Sequence, residues 1–526
     1  MNSTYIAAID SQAERVPGKV AFRNSREESI TYAELKRRSD ALARWIANAS
    51  QIPAKVPIVV YGHKSPLMLA CFLACVKSGH AYVPIDVVYP RDRIASIIGQ
   101  LGETTVFDTI GTIPEVLGAV PDAPYFNVGE LMDTVDGVGS GDSDPAAMPN
   151  DPVPVGENDT FYILFTSGST GTPKGVEITT ECVDKFSDWL LTGDFAVEEE
   201  RVWFNRSPFT FDVSLTDMAA GLTRGDTLFA LEDEAEKNLG LAFELLATSD
   251  ATEWVSTPSF VDQCLADPSF NAELMPNLKR MLLAGEVLRP ETVRMAQARF
   301  PGLRVFNGYG PTESTDLVTL CEILPYMLEQ DRSLPIGYAK PDSKLLVLDP
   351  QTLAPVPDGE HGELFVIGNT VAKGYWRRDD LTEAAFRACP EELAQGLRSY
   401  RTGDEITRDA DGMYYYHGRY DLQIKLHGYR IELGDIEATL CALPQVHMAC
   451  VLPLWRDGAI SHLVALIVPS DLDAPTGFAL TKQIKHAIRE TIPSYMVPRT
   501  FKYVESFPLN PSGKADRKAL AALIAE

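Results

Sequence analysis

The chain reads as an α/β protein, a large N-terminal multi-sheet α/β domain followed by a small C-terminal α+β domain. Three observations lead there. Helical spacing alternates with short β runs from about position 30 to 90, the signature of parallel α/β architecture. An unbroken apolar run at 161–165 has the character of a strand buried on both faces. After Tyr420 a compact segment begins with its own order of strands and helix. At 526 residues the chain also exceeds one ordinary domain.

Taken in order, residues 31–49 place Leu35, Leu42, Trp45 and Ile46 on one helical face. A short β run follows at 57–61 and an apolar helix at 67–77, in which Cys71 and Cys75 stand four apart and face the core. Residues 133–159 are rich in Asp, Gly and Pro and read as a surface loop. The strand at 161–165 runs directly into a Gly/Ser/Thr loop at 166–175. The later segment carries a β run at Gln423–Leu426, an acidic helix from Gly434 and apolar strands at 448–454 and 462–469. The expected division is 1–420 and 421–526.

Composition narrows the function. Hydrophobic residues make up 45% and charged residues 23%, values of a soluble globular protein. The net charge of −26 disfavours nucleic acid, whose binding needs Lys and Arg to release counterions, and equally disfavours adhesion to anionic membranes. The longest apolar run, 67–76, stops well short of the roughly 20 residues of a membrane span. The N-terminus lacks the apolar core of a secretory signal, and the eight cysteines show no metal-ligand spacing. A cytoplasmic enzyme with reduced thiols, without nucleic acid or membrane insertion, is the expectation.

Four motifs carry chemistry. The first is Thr166, Ser167, Gly168, Ser169, Thr170, Gly171, Thr172, Pro173, Lys174 and Gly175. Its glycines let backbone N–H groups close on a phosphate, its hydroxyls add donors and Lys174 adds a positive charge. The alternative is a flexible linker. A Walker A loop is excluded by the Pro-Lys-Gly ending. The second is Asn307, Gly308, Tyr309, Gly310, Pro311, Thr312 and Glu313. A tyrosine between glycines can lie flat on a base, Thr312 can bind phosphate, and Glu313 is a hard oxygen ligand suited to Mg²⁺. An ordinary turn with a solvated Glu is the competing reading.

The third pairs Asp404, which can accept ribose hydroxyls, with Tyr416 and Arg419, whose guanidinium can clamp ribose or phosphate. Asp404 could equally be a turn residue after Gly403. The fourth, 510–514, ends in Lys514 on a Gly-containing loop, which alone is one exposed lysine among many.

These blocks, in this order, resemble the adenylate-forming superfamily of amino-acid adenylation domains, acyl-CoA synthetases and luciferases, over nearly the whole chain. Phe211-Asp212-Val213-Ser214 and Pro311 resemble the amino-acid branch, in which an Asp holds the substrate ammonium. Residues 423–430 and 255–259 are similar to stand-alone D-alanine–D-alanyl carrier protein ligases. Two positions depart from that subfamily. Ala284 stands where a Cys crowds the substrate methyl, and Asp316 where a small apolar residue is expected. The first enlarges the pocket; the second brings another carboxylate near it, unless it turns to solvent or to an Arg.

The resemblance implies ATP and Mg²⁺ as cofactors, an amino acid as substrate, and in-line attack of its carboxylate on the α-phosphate. Asp212, Ala284, Gly308, Asp316 and Lys514 would form the amino-acid pocket. Tyr309 would stack on adenine, Asp404 and Arg419 would hold ribose, Thr312 and the 166–174 loop would bind phosphates, and Glu313 the metal. Lys514 and Thr312 would be catalytic. The small domain would swing about Asp421, and the thiol would come from the phosphopantetheine of a separate carrier protein, a place in cell-wall (lipoteichoic acid) biosynthesis. An enzyme of nonribosomal-peptide type for another amino acid, an acyl- or aryl-CoA ligase, and a non-catalytic nucleotide-binding module are the alternatives.

Overall fold

The computed structural model describes residues 3–118, 123–135, 150–167, 172–193, 199–232, 235, 238–330, 332–456, 459–471, 477–508 and 515–525. The chain folds into two compact units. One comprises Met1–Asp86, Leu101–Leu164 and Gly175–Tyr420; the other comprises Val87–Gln100, Phe165–Lys174 and Asp421–Glu526.

Among the described residues the larger unit contains a seven-stranded, a nine-stranded and a four-stranded sheet. The seven-stranded sheet is parallel through Thr160–Thr166, Tyr82–Asp86, Ile58–Gly62, Thr105–Asp108 and Tyr125–Asn127. Its strands Ile58–Gly62 and Tyr82–Asp86 are buried at every position, which their continuous apolar character requires. The helix Pro66–Lys77 is buried along nearly its whole length. Ser65 caps it by accepting from the Met68 N–H at 3.1 Å, with Pro66 preset for the first turn. Its one charge, Lys77, is held by Asp10 and Asp40, each at 2.7 Å. The helix Tyr32–Asn48 starts from a capping box between Thr31 and Glu34 and buries Leu35, Leu42 and Ile46.

The nine-stranded sheet supplies the site. Glu253–Ser256, Arg280–Ala284 and Arg304–Tyr309 run parallel, and their C-terminal ends put Ala284 directly beside Gly308. In open α/β sheets ligands bind outside such ends. The four-stranded antiparallel sheet runs Ser343–Leu348, Gly362–Gly368, Ser399–Arg408 and Tyr414–Arg419, and pairs Asp404 with Arg419 across two strands.

The second unit has its own core around Ile431, Ile436, Leu440, Val451, Ile467 and Ile488. It contains the hairpin Gln423–Leu426 and Tyr429–Glu432, and the sheet Val446–Arg456, Ala459–Pro469 and Thr500–Tyr503. Arg517 grips the Glu437 carboxylate and donates to the Val451 carbonyl at 2.9 Å.

One expectation is corrected. The helix Val128–Val135 runs three residues into the segment read as loop, because Met132 is buried and Leu131 packs on the core despite the Asp and Gly residues that follow. Residues 136–149 lie outside the described residues. No helix among the described residues is long and apolar enough to cross a membrane.

Leu73 is 3% exposed inside the buried helix. Leu73→Ala is expected to destabilise the larger unit by about 2–5 kcal/mol, the range for a cavity in a core that cannot collapse. The shift of that unit's urea transition measures it; a loss below about 1 kcal/mol would show that the helix repacks freely.

Candidate active site

The second motif closes on itself. A Cβ on Gly310 would overlap the Asp316 carbonyl oxygen, so only glycine lets the chain fold back within six residues. Thr315 and Asp316 then both take left-handed conformations, with φ of 62° and 64°. Side chains in that region cost about 1–3 kcal/mol each and survive only where the surroundings hold them. Here they are held: Thr315 Oγ1 donates to the Thr370 carbonyl at 2.7 Å, and the Ala372 N–H donates to the Glu313 carbonyl at 2.8 Å. The fully buried Glu313 accepts from the Tyr375 hydroxyl through Oε1 at 2.7 Å. Tyr375 belongs to Gly374–Tyr375, an edge strand of the seven-stranded sheet, so this turn ties the two large sheets together.

A second cluster lies at the end of strand Arg304–Tyr309. The Tyr309 hydroxyl donates to Asp404 Oδ2, while Arg419 donates to Asp404 Oδ1 and, at 2.9 Å, to the Thr402 carbonyl. Burial and the adjacent Asp404 carboxylate push the Tyr309 phenol well above its ordinary range, so it stays a donor. The Tyr416 ring lies 6.3 Å from that of Tyr309 at 39°. Sequence-predicted Tyr309, Asp404, Tyr416 and Arg419 thus come together. Asn307 is engaged otherwise: its buried amide donates to the Pro335 carbonyl at 2.7 Å and steadies the strand.

The third cluster centres on Asp212, which caps the short helix Val213–Asp217 by accepting from the Val213 N–H at 3.0 Å and is half-buried. Four residues on, Thr216 shares its helix face and donates its hydroxyl to Asp316 Oδ2. Asp316 is 2% exposed and Thr216 1%, so Asp316 points neither to solvent nor outward. Ala284 and Gly308 stand side by side on neighbouring strands, and the Leu317 side chain occupies the space a Cβ on Gly308 would need. Sequence reasoning did not single out Thr216 or Tyr375. The four-residue offset from Asp212 was a signal for Thr216; nothing local marks Tyr375.

In the second unit, Ser167 Oγ donates to the Arg430 carbonyl at 2.9 Å, and Lys174 opens the strand Lys174–Thr179. Gly168, Ser169, Thr170, Gly171 and Lys514 lie outside the described residues. Thr166 ends its strand, and Thr312 opens the 3₁₀ turn Thr312–Ser314.

This chain matches the AMP-binding enzyme family over residues 9–376 and the C-terminal domain of AMP-binding enzymes over residues 435–514. It therefore belongs to the AMP-binding enzyme family. Over its full length it is similar to D-alanine–D-alanyl carrier protein ligases. It is 39% identical to that of Listeria welshimeri across 99% of both chains, and 41% identical to that of Bacillus licheniformis across 98% of both. Among solved structures it is similar to a holo nonribosomal-peptide-synthetase protein containing adenylation and carrier domains. That match has 26% identity and a TM-score of 0.81 over 99% of this chain and 84% of the other. The adenylation domain of Vibrio cholerae solved with glycyl-adenosine-5′-phosphate shares the fold, with 21% identity and a TM-score of 0.83 over 100% and 98%.

Just beyond Thr216, Asp217 is fully buried, accepts from Asn205 Nδ2 at 2.8 Å, and leads into a π-helical turn, Met218–Leu222. Burial pushes its carboxyl up to about 8. The unfolded carboxyl titrates near 4, so between about pH 4 and 8 the folded group keeps a proton that the unfolded one has lost. Stability then falls as pH rises through that window. Asp217→Asn is expected to flatten this fall; melting temperatures at pH 5 and pH 8 check it. An unchanged slope in the variant would place the proton elsewhere.

Proposed function

We propose that the enzyme activates a small amino acid, D-alanine by its full-length relatives, as aminoacyl-AMP with release of pyrophosphate. It then passes the aminoacyl group to the phosphopantetheine thiol of a separate carrier protein. The observation that carries this reading is the strand Arg304–Tyr309. Its Gly308 adjoins Ala284, and its next residue, Tyr309, is bonded to Asp404, so amino-acid and nucleotide clusters share one strand end.

Asp212 receives the α-ammonium, and the substrate carboxylate, already anionic, attacks the α-phosphorus while pyrophosphate departs. Little proton transfer is needed, so rate comes from positioning and from neutralising charge in the transition state. Lys514 bridges the carboxylate and α-phosphate. Thr312 binds phosphate, and the 166–174 loop steadies the β- and γ-phosphates. Tyr309 and Tyr416 receive the adenine, and Asp404, oriented by Arg419, accepts the ribose hydroxyls.

Mg²⁺ suits Glu313: one carboxylate oxygen is taken by Tyr375, and Mg²⁺ is commonly held by one or two carboxylates together with substrate phosphates. When bound it neutralises developing negative charge on the phosphates. In the second half-reaction the small domain, 421–526, turns about Asp421 and withdraws Lys514. The thiolate then attacks the acyl carbon, the acyl–phosphate bond breaks, and AMP leaves. A fatty-acyl ligase has no use for Asp212, which counts against that alternative.

Pyrophosphate exchange across D- and L-amino acids tests the reading directly; exchange driven by fatty acids and by no amino acid would overturn it. Lys514→Ala is expected to lower the exchange rate by on the order of 10²–10³ while ATP still binds and a supplied aminoacyl-adenylate still yields thioester. Exchange at the unmodified rate would remove Lys514 from the chemistry. Asp212→Asn keeps a residue able to cap the helix but deletes the charge. It is expected to raise the amino-acid KM steeply, for a loss of roughly 3–5 kcal/mol, with the ATP KM nearly constant. An unaltered amino-acid KM would make Asp212 a structural residue.

A further inference from the structure

The Glu313 carboxylate is fully buried, and its Oε1 accepts from the Tyr375 hydroxyl at 2.7 Å. A carboxylate at that depth is costly to keep, and a bond from a neutral hydroxyl offsets only part of the cost. Where such a pair serves packing alone, apolar groups of the same shape do nearly as well or better. A buried Glu held by a Tyr therefore points to a use for the charge. Its place in the 3₁₀ turn Thr312–Ser314, which follows the strand ending at Tyr309, puts that use with the nucleotide.

Tyr375 is itself held on every side. Its buried ring meets Phe386 edge-on, with centroids 5.2 Å apart at 79°. Its N–H donates to Thr382 Oγ1 at 2.9 Å. On either side, the Lys373 N–H donates to the Glu177 carbonyl at 2.9 Å and the Trp376 N–H to the Gly175 carbonyl at 2.7 Å. The Ala372 N–H reaches the Glu313 carbonyl, so one stretch, 372–375, fixes both the main chain and the carboxylate of Glu313. A hydroxyl on so fixed a ring selects one rotation of the carboxylate. Groups that bond a metal's ligands orient them in this way, and their loss typically costs about 10–100-fold in metal affinity.

We propose that Tyr375 is a positioning residue for the divalent cation of ATP: its hydroxyl sets the Glu313 carboxylate, and without it the bound nucleotide holds the metal less tightly. The inference rests on the reading of Glu313 given above and adds the group that makes Glu313 a preorganised ligand. Tyr375 acts through Glu313 and touches neither nucleotide nor metal. Its loss is therefore felt in metal affinity and not in the affinity for metal-free ATP.

The test is the ratio of the ATP dissociation constants with EDTA and with saturating Mg²⁺, measured by equilibrium dialysis without amino acid. It is taken in the unmodified enzyme, in Tyr375→Phe and in Glu313→Gln. By linkage the ratio reports how much more tightly enzyme-bound ATP holds the metal than free ATP does. Tyr375→Phe is expected to cut it about tenfold or more while the metal-free constant stays nearly unchanged. A melting temperature close to the unmodified value confirms folding. Should that variant not fold, Thr382→Val removes the acceptor of the Tyr375 N–H and leaves the phenol in place. A smaller fall in the same ratio then supports the inference, and an unmoved ratio overturns it. An equal loss of ATP affinity with and without Mg²⁺ in Tyr375→Phe, or a ratio unmoved there but lost in Glu313→Gln, also overturns it. A ratio unmoved in Glu313→Gln instead removes Glu313 as a metal ligand, and with it the reading on which the inference rests.

Discussion

A single steric fact organises the site: the carbonyl oxygen of Asp316 occupies the place where any side chain on residue 310 would begin. The chain can reverse there only on a glycine, and the reversal sets two left-handed residues in succession. That strained turn sends Glu313 toward Tyr375 and Asp316 toward Thr216. Tyr309, just before it, stays at the strand end with its hydroxyl on Asp404. Two carboxylates thus find their partners through one seven-residue loop, and a third, Asp404, meets the residue just before it. Because Tyr375 belongs to the seven-stranded sheet and Arg304–Tyr309 to the nine-stranded one, the same loop also fixes how these two sheets meet.

The electrostatics follow from that geometry. Glu313, Asp316 and Asp404 are each at most 5% exposed, and each accepts from a hydroxyl or guanidinium donor. A buried carboxylate is tolerated when its lone pairs are occupied. Asp212 is more open than these three, half-buried at the start of its helix. The overall charge of −26 has no part in this.

Most of the architecture was legible because its signals are periodic. The helices Tyr32–Asn48 and Pro66–Lys77 and the strand Thr160–Thr166 lie within one or two residues of their sequence-read limits. Where turn-forming residues crowd the helix end, as in Val128–Val135, composition misled, since Met132 anchors the helix from the core side. The π-helical turn Met218–Leu222 had no forewarning. Gly221 within it is closely packed: a Cβ there would meet Leu228 at 2.8 Å and Trp203 at 3.1 Å.

By itself, then, the sequence determined the α/β class, the order of the nucleotide motifs and the membership of the AMP-binding family. These rest on local period and on residue types that only particular backbones accept. Tertiary structure alone decided the partner of each carboxylate. Glu313 meets Tyr375 from 62 residues away, Asp404 meets Tyr309 from 95, and Asp316 meets Thr216 from 100. Hydrogen bonds are directional over a few tenths of an ångström, and which groups come within that range depends on strand register and on the angle of one turn. Neither is written in the spacing of the residues concerned.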